Sequence, residues 1–119
     1  MISVYKEFSF EAAHRLPNVA PDHKCARLHG HSFRVTVWVE GEAGAESGWV
    51  MDFADIERAF APLRDQLDHH YLNEVAGLEN PTSERIAVWI WERLSLTLEG
   101  LSKVAVRETC TAGVEYSGG

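Results

Sequence analysis

Apolar positions alternate with polar ones at both ends of the chain and recur at helical spacing in the middle. From Ile2 to His14, the residues Val4, Phe8, Phe10, Ala12 and His14 share one parity, which predicts a strand with those side chains on one face. Pro17, Asn18, Pro21 and Asp22 mark a loop. A second strand is expected from His29 to Glu40, with His29, His31, Phe33, Val35, Val37 and Val39 on one face. Gly41 to Gly48 reads as a polar turn, and Trp49 to Met51 as a short returning strand. Asp52 suits a helix N-cap, with Asp55 in the first turn where the helix dipole favours negative charge. Phe53, Ile56, Phe60, Leu63 and Leu67 form the stripe of that helix, which Pro62 is expected to kink or break. A second helix opens at "ENPTSE", with Asn80 as cap and Pro81 at the first helical position, and carries Ile86, Trp89, Ile90 and Leu94 as its apolar stripe. Lys103 to Cys110 alternates again, placing Val104, Val106, Glu108 and Cys110 on one face, and Val114 to Tyr116 follows as a short partner after the turn at Gly113.

The order is strand, strand, helix, helix, strand, strand, which predicts an α+β domain: an antiparallel sheet with two helices on one face, in a single domain over residues 1–119. Trp38 falls on the face opposite Val37 and Val39. A large apolar residue there predicts that this face or a sheet edge is covered by another subunit.

Composition narrows the function. At 119 residues and 45% hydrophobic, the chain supports a packed core. A formal charge of −7 argues against nucleic acid or an anionic membrane as partner, while an anionic small substrate would need local lysines and arginines. No apolar run approaches the roughly 20 residues of a membrane span, and Met1 to Phe10 lacks the pattern of a secretion signal. Two cysteines, Cys25 and Cys110, make a poor disulfide framework, so a reducing cytoplasm is the simpler expectation, with a Cys25–Cys110 bridge as the alternative.

Candidate chemistry concentrates in "HKCARLHGHSF", His23 to Phe33. His29 and His31 are two apart on a strand, so both rings point the same way, and His14 comes near them if the first two strands form a hairpin. Three imidazoles suit zinc and leave a fourth position for water or substrate. A closed structural site would want a fourth ligand, and Cys25 is the nearby candidate. Gly30 between the two histidines implies a close approach to the backbone. Alternatively, Cys25 is a reactive thiolate favoured by Lys24, Arg27 and a metal, or simply a small buried hydrophobe. Cys110 belongs with the core. Asp68 beside His69 suits a carboxylate that orients an imidazole, although capping of the helix end explains the same position. Glu108 on an apolar face calls for a partner: a cation such as Lys103, or a ligand offering two adjacent N–H donors to a bidentate carboxylate.

Together "FEAAHRLP", "CARLHGHSF", "LDHHYLN", "ENPTSE" and "KVAVRETCTAG" resemble the 6-pyruvoyl-tetrahydropterin synthase family over nearly the whole chain, and the Cys25-x3-His29-Gly30-His31 spacing resembles its bacterial carboxy branch. The resemblance implies the tunnelling fold, ββααββ, assembled edge to edge into a barrel. The usual assembly is a hexamer built from two trimers, with active sites between subunits. It implies conversion of 7,8-dihydroneopterin triphosphate to 6-carboxytetrahydropterin with release of acetaldehyde and triphosphate, on the way to queuosine and related 7-deazapurines. Activity of the pyruvoyl type, which keeps the three-carbon side chain, is the alternative within the family. A pterin-binding zinc module without turnover is the alternative outside it. By motif, His14, His29 and His31 would be the zinc ligands, Cys25 the base, His69 with Asp68 the proton shuttle and Glu108 the pterin anchor. Thr109, Thr82 and Ser83 would line the pterin pocket. His70 neighbours the shuttle position. Lys24 and Arg27 are the candidates for the triphosphate, on charge alone.

Overall fold

The computed structural model describes residues 1–119. Strands β1 (Ile2–His14) and β2 (His29–Gly41) form a long antiparallel hairpin in unbroken register, from Ile2 opposite Gly41 to His14 opposite His29. Helix α1 (Phe53–Leu67) and helix α2 (Ser83–Leu94) follow, and strands β3 (Leu101–Arg107) and β4 (Gly113–Tyr116) complete the sheet in the order β1-β2-β3-β4, all antiparallel. Two short 3₁₀ turns, Lys24–Ala26 and Leu72–Glu74, sit in the connections.

Alternation in the strands directs one face to the helices. Phe8, Phe10, Phe33, Val35, Val37, Val104 and Val106 are buried there against Ile56, Phe60, Leu67, Ile86, Trp89 and Ile90. Burying each large apolar side chain contributes about 1.5–3 kcal/mol, so the two amphipathic helices are held chiefly by packing. The other face of the sheet is open within this chain. Tyr5 and Trp38 stand opposite each other there, 6.2 Å between rings, with the Lys103 ammonium 4.3 Å from the Trp38 ring centre.

Several local expectations are corrected. Trp49 to Met51 forms bends, not a strand. Helix α1 continues through Pro62, so the break does not occur: Phe60, Leu63 and Leu67 on either side are buried in the core and offset the one lost backbone bond. Its stripe starts at Ile56, since Phe53 is 55% exposed. The N-cap of α2 is Thr82, whose hydroxyl accepts the Arg85 N–H at 3.1 Å, not Asn80. Strand β3 ends at Arg107, so Glu108 and Cys110 lie beyond it, and Cys110 is exposed instead of packed in the core.

Candidate functional site

The hairpin register assembles the site. His14 and His29 close the open end of the hairpin as paired residues, and His31 is one step along the same face. Their ring centres are 4.5 Å (His14–His29), 5.1 Å (His14–His31) and 4.9 Å (His29–His31) apart. One ring nitrogen from each lies within 4.8 Å of the others. His14 is 1% exposed, and burial holds its pKa below the ordinary 6.5, which keeps the ring neutral and its lone pair available. Its Nδ1–H donates to the Pro81 carbonyl at 2.8 Å, and the His29 Nδ1–H donates to the Arg27 carbonyl at 2.7 Å. Each of these bonds fixes a tautomer and leaves Nε2 unprotonated.

The fit to a metal rests on one atom. The Nε2 of His14 is buried with no hydrogen-bond partner in the protein. A buried orphan acceptor costs free energy. A cation between the three rings removes that cost, and three neutral imidazoles are the donor set that zinc favours in an open site.

Cys25 lies in the 3₁₀ turn between the strands, half-buried, outside the cluster of close ligand atoms. Its backbone is pinned on both sides: the Leu16 N–H donates to the Cys25 carbonyl at 2.8 Å, and the Cys25 N–H donates to His23 Nδ1 at 3.0 Å. Cys25 and Cys110 are both free thiols, so the alternative of a bridge between them is set aside.

Glu108 reaches back toward the cluster from the end of β3. Its partners are neither Lys103, which pairs with Glu115 at 3.4 Å, nor another cation. Ser83, the first residue of α2, donates its hydroxyl to Glu108 Oε1 at 2.7 Å, and His31 Nε2 lies 3.5 Å from Oε2. The N-terminus of α2 adds positive dipole beside the carboxylate. Glu108, Thr109, Thr82 and Ser83 line one groove of about 370 Å³, so the structure brings these four together. The Thr109 hydroxyl accepts from the Thr111 and Ala112 amides, which shapes the turn that forms the groove wall.

Asp68 and His69 also form a pair, with His69 Nδ1 3.1 Å from Asp68 Oδ2. Both hang from the backbone of Glu11: its N–H donates to Asp68 Oδ1 at 2.8 Å, and its carbonyl accepts the His69 N–H at 2.6 Å. The amide bond from Glu11 holds the Asp68 carboxyl below the usual 3.8, with His69 adding to the effect. His69 is the one non-glycine residue with positive φ, at 58°. His69 lines a second cavity, of about 560 Å³, whose walls also include Glu11, Ala13, Gly30, His31, Ser32 and His70. Glu11 and Ser32, like Ala13 and Gly30, are paired residues on the open face of the sheet, opposite the face that carries the three histidines. One chain therefore does not bring His69 to Cys25.

Lys24 and Arg27 are exposed in the connecting loop; what Arg27 gives the site is its carbonyl. Sequence reading missed that carbonyl and the Pro81 carbonyl, and also missed Arg34. Arg34 pairs in register with Arg107 on the open face, beside Glu108 and Thr109. The alternation of β2 was the signal for Arg34, since it puts Arg34 on the face opposite Phe33.

A four-stranded antiparallel sheet under two helices, with three histidines converging beside a held carboxylate, defines an α+β domain whose hairpin end carries a three-histidine group that could hold a metal ion. The family model for 6-pyruvoyl tetrahydropterin synthase matches residues 3–119. The chain is 50% identical over 119 residues to a 6-carboxy-5,6,7,8-tetrahydropterin synthase from Synechocystis sp., covering 95% of this chain and 91% of that one. It is 38% identical over 110 residues to a dihydroneopterin monophosphate aldolase from Pyrococcus furiosus, covering 90% of each. Among solved structures, a Caenorhabditis elegans 6-pyruvoyl tetrahydropterin synthase superimposes with a TM-score of 0.90 at 28% identity, covering 99% of this chain and 96% of that one. The chain belongs to the 6-pyruvoyl tetrahydropterin synthase family and is an enzyme of its lyase type. No helix is long and apolar enough to cross a membrane.

Proposed function

We propose that this chain converts 7,8-dihydroneopterin triphosphate and water to 6-carboxy-5,6,7,8-tetrahydropterin, with release of acetaldehyde and triphosphate. The observation that carries the proposal is the buried, unpartnered Nε2 of His14 facing His29 and His31 beside Glu108. The 50% identity to a protein of that name supports the choice of reaction.

His14, His29 and His31 would hold zinc, which when bound supplies Lewis acidity toward the substrate's side-chain oxygens. Glu108 anchors the pterin by accepting from its amino group and ring N–H, with Thr82, Ser83 and Thr109 walling the groove. Cys25, as a thiolate, removes the proton from the side-chain carbon next to the ring. His69, oriented by Asp68, delivers the matching proton. Lys24 and Arg27 remain the candidates for the triphosphate. The chain acts as one catalytic domain, residues 1–119, in a homo-hexamer of two trimers in the cytoplasm. Its active sites lie between subunits, and its product feeds queuosine and 7-deazapurine synthesis. The exposure of His69 on the open face supports the shared sites.

The test is product identification by mass spectrometry after zinc-loaded protein is incubated with 7,8-dihydroneopterin triphosphate. Acetaldehyde with 6-carboxytetrahydropterin supports the proposal. A 6-pyruvoyl product keeps the site and changes the reaction. Preferential cleavage of dihydroneopterin monophosphate would assign the activity named for the Pyrococcus relative. Bound zinc without any product would leave a pterin-binding module.

A further inference from the structure

Strand β1 is an edge of the sheet, so its outer N–H and carbonyl groups face no strand of this chain. Near the open end of the hairpin, the segment after α1 takes them in turn. Asp68 and His69 hold Glu11, the Ala13 N–H donates to the His70 carbonyl at 3.2 Å, and the Arg15 N–H donates to Asn73 Oδ1 at 3.0 Å. Asn73 Nδ2 also donates to the Arg15 carbonyl at 2.9 Å, so one carboxamide grips both backbone groups of one residue. Its neighbour Leu72 is fully buried, which anchors the short turn that carries Asn73. Arg15 in turn reaches the loop of Cys25. Its Nε–H donates to the Ala26 carbonyl at 3.3 Å, and Leu16 beside it donates its N–H to the Cys25 carbonyl at 2.8 Å. All other hydrogen bonds of Lys24–Ala26 close within the loop: the Cys25 N–H to His23 Nδ1, the Ala26 N–H to the His23 carbonyl, and the Arg27 N–H to the Lys24 carbonyl. Those bonds shape the turn, and the two ties to Arg15 and Leu16 set it against the end of β1.

We propose that Asn73 and Arg15 are positioning residues for the Cys25 thiol: Asn73 fixes Arg15, and Arg15 with Leu16 holds the Cys25 turn at a set place beside the three histidines. This rests on the reading above of Cys25 as the base. Neither Asn73 nor Arg15 lines the groove at Glu108 or the cavity at His69, so both act through the loop and not on the substrate. A displacement of about 1 Å at a reacting group can cost on the order of 10²-fold in rate. Release of the clamp therefore lowers turnover while the histidines, held by strand pairing, keep their metal.

Zinc-loaded wild type, Asn73→Ala, Asn73→Asp, Arg15→Met and the Asn73→Ala/Arg15→Met double variant are compared in three measurements. These are kcat and KM on 7,8-dihydroneopterin triphosphate, zinc per chain, and alkylation of Cys25 by iodoacetamide. Peptide mass spectrometry reads the alkylation, with the exposed Cys110 as internal reference. Asn73→Ala is expected to lose roughly 10- to 100-fold in kcat, with KM and zinc content unchanged. Its half-buried Cys25 should alkylate faster relative to Cys110, because the turn is released. Asn73→Asp keeps the oxygen that accepts from Arg15 but not the donor to its carbonyl, and should recover part of the loss. The double variant should lose no more than the worse single variant, since the two residues act in series. Wild-type kcat and an unchanged alkylation ratio in Asn73→Ala overturn the proposal. Loss of zinc in step with kcat also overturns it, since that marks a general structural role. Should Asn73→Ala fail to fold, Asn73→Asp, of nearly the same shape, decides by the same readouts. Full activity of Cys25→Ala sinks the base reading instead, an outcome kept separate because alkylation reports the turn without any turnover.

Discussion

If the thiol and the imidazole act on one substrate, they must come from different subunits. His69 hangs from the Glu11 backbone with its side chain 78% exposed on the open face, while Cys25 is tied to Leu16 just past the histidine cluster. Reacting groups need to approach within about 3–3.5 Å of the substrate atoms, and no side-chain rotation carries His69 through the sheet. The perturbation is a pair of variants, Cys25→Ala and His69→Asn. Asparagine tolerates the left-handed backbone at position 69, so the loop is kept. Each variant alone should lose about 10²–10⁴-fold in kcat. The two are then co-expressed in equal amounts, so that subunits assemble at random. Half of the sites receive an intact thiol and half of those an intact imidazole, so about one quarter of wild-type activity returns in a symmetric oligomer. The reciprocal mixture, wild type with the Cys25→Ala/His69→Asn double variant, should also retain about one quarter, against about one half if each chain were self-sufficient. Activity is read as triphosphate released per zinc. A mixture of single variants no more active than its parts, with the reciprocal mixture at one half, refutes the shared site.

Cys25→Ala should keep zinc at wild-type stoichiometry while product formation collapses; parallel loss of zinc and folding would make Cys25 a structural ligand. Metal-free protein should lose stability as pH falls from about 6.5 through the lower folded pKa of His14, because the unfolded ring takes up a proton that the buried ring refuses. That contribution is complete above 6.5, and His14→Gln should flatten this part of a denaturation-versus-pH curve. Gly113→Ala should destabilise by about 1–3 kcal/mol: a methyl group there would lie 2.6 Å from Arg107 Cγ and 2.9 Å from the Val106 carbonyl, and the latter is backbone. Chemical denaturation measures this, and an unchanged midpoint would mean that the turn after β3 yields freely.

What the sequence made legible follows from periodicity. Two long alternating segments defined β1 and β2 nearly to the residue, and parity alone put His14, His29 and His31 on one face. The errors fall where a distant partner decides. Asn80 looks like a cap, yet the chain enters α2 at Thr82, one residue past the Pro81 carbonyl that meets His14 from 67 positions away. Continued alternation past Arg107 hides the end of β3, where Glu108 turns to Ser83 and His31 and Cys110 swings to solvent. The Asp68–His69 pair was readable as a motif. Its attachment to Glu11 was not, because the Asp68 carboxylate meets the Glu11 amide from 57 residues away and His69 meets the Glu11 carbonyl through its backbone.

The hairpin divides the site into a rigid part and an adjustable one. Every ligand histidine sits inside the paired region, from His14 opposite His29 onward, so a single-residue insertion within either strand would turn ligands to the wrong face. The loop from Arg15 to Leu28 begins and ends at that same closing pair. Residues added or removed there leave all three histidines paired in register, and shift Cys25 together with Lys24 and the Arg27 carbonyl that holds the His29 ring. Loop length can therefore change where the Cys25 thiol stands relative to the three histidines while the strands that carry them stay constant.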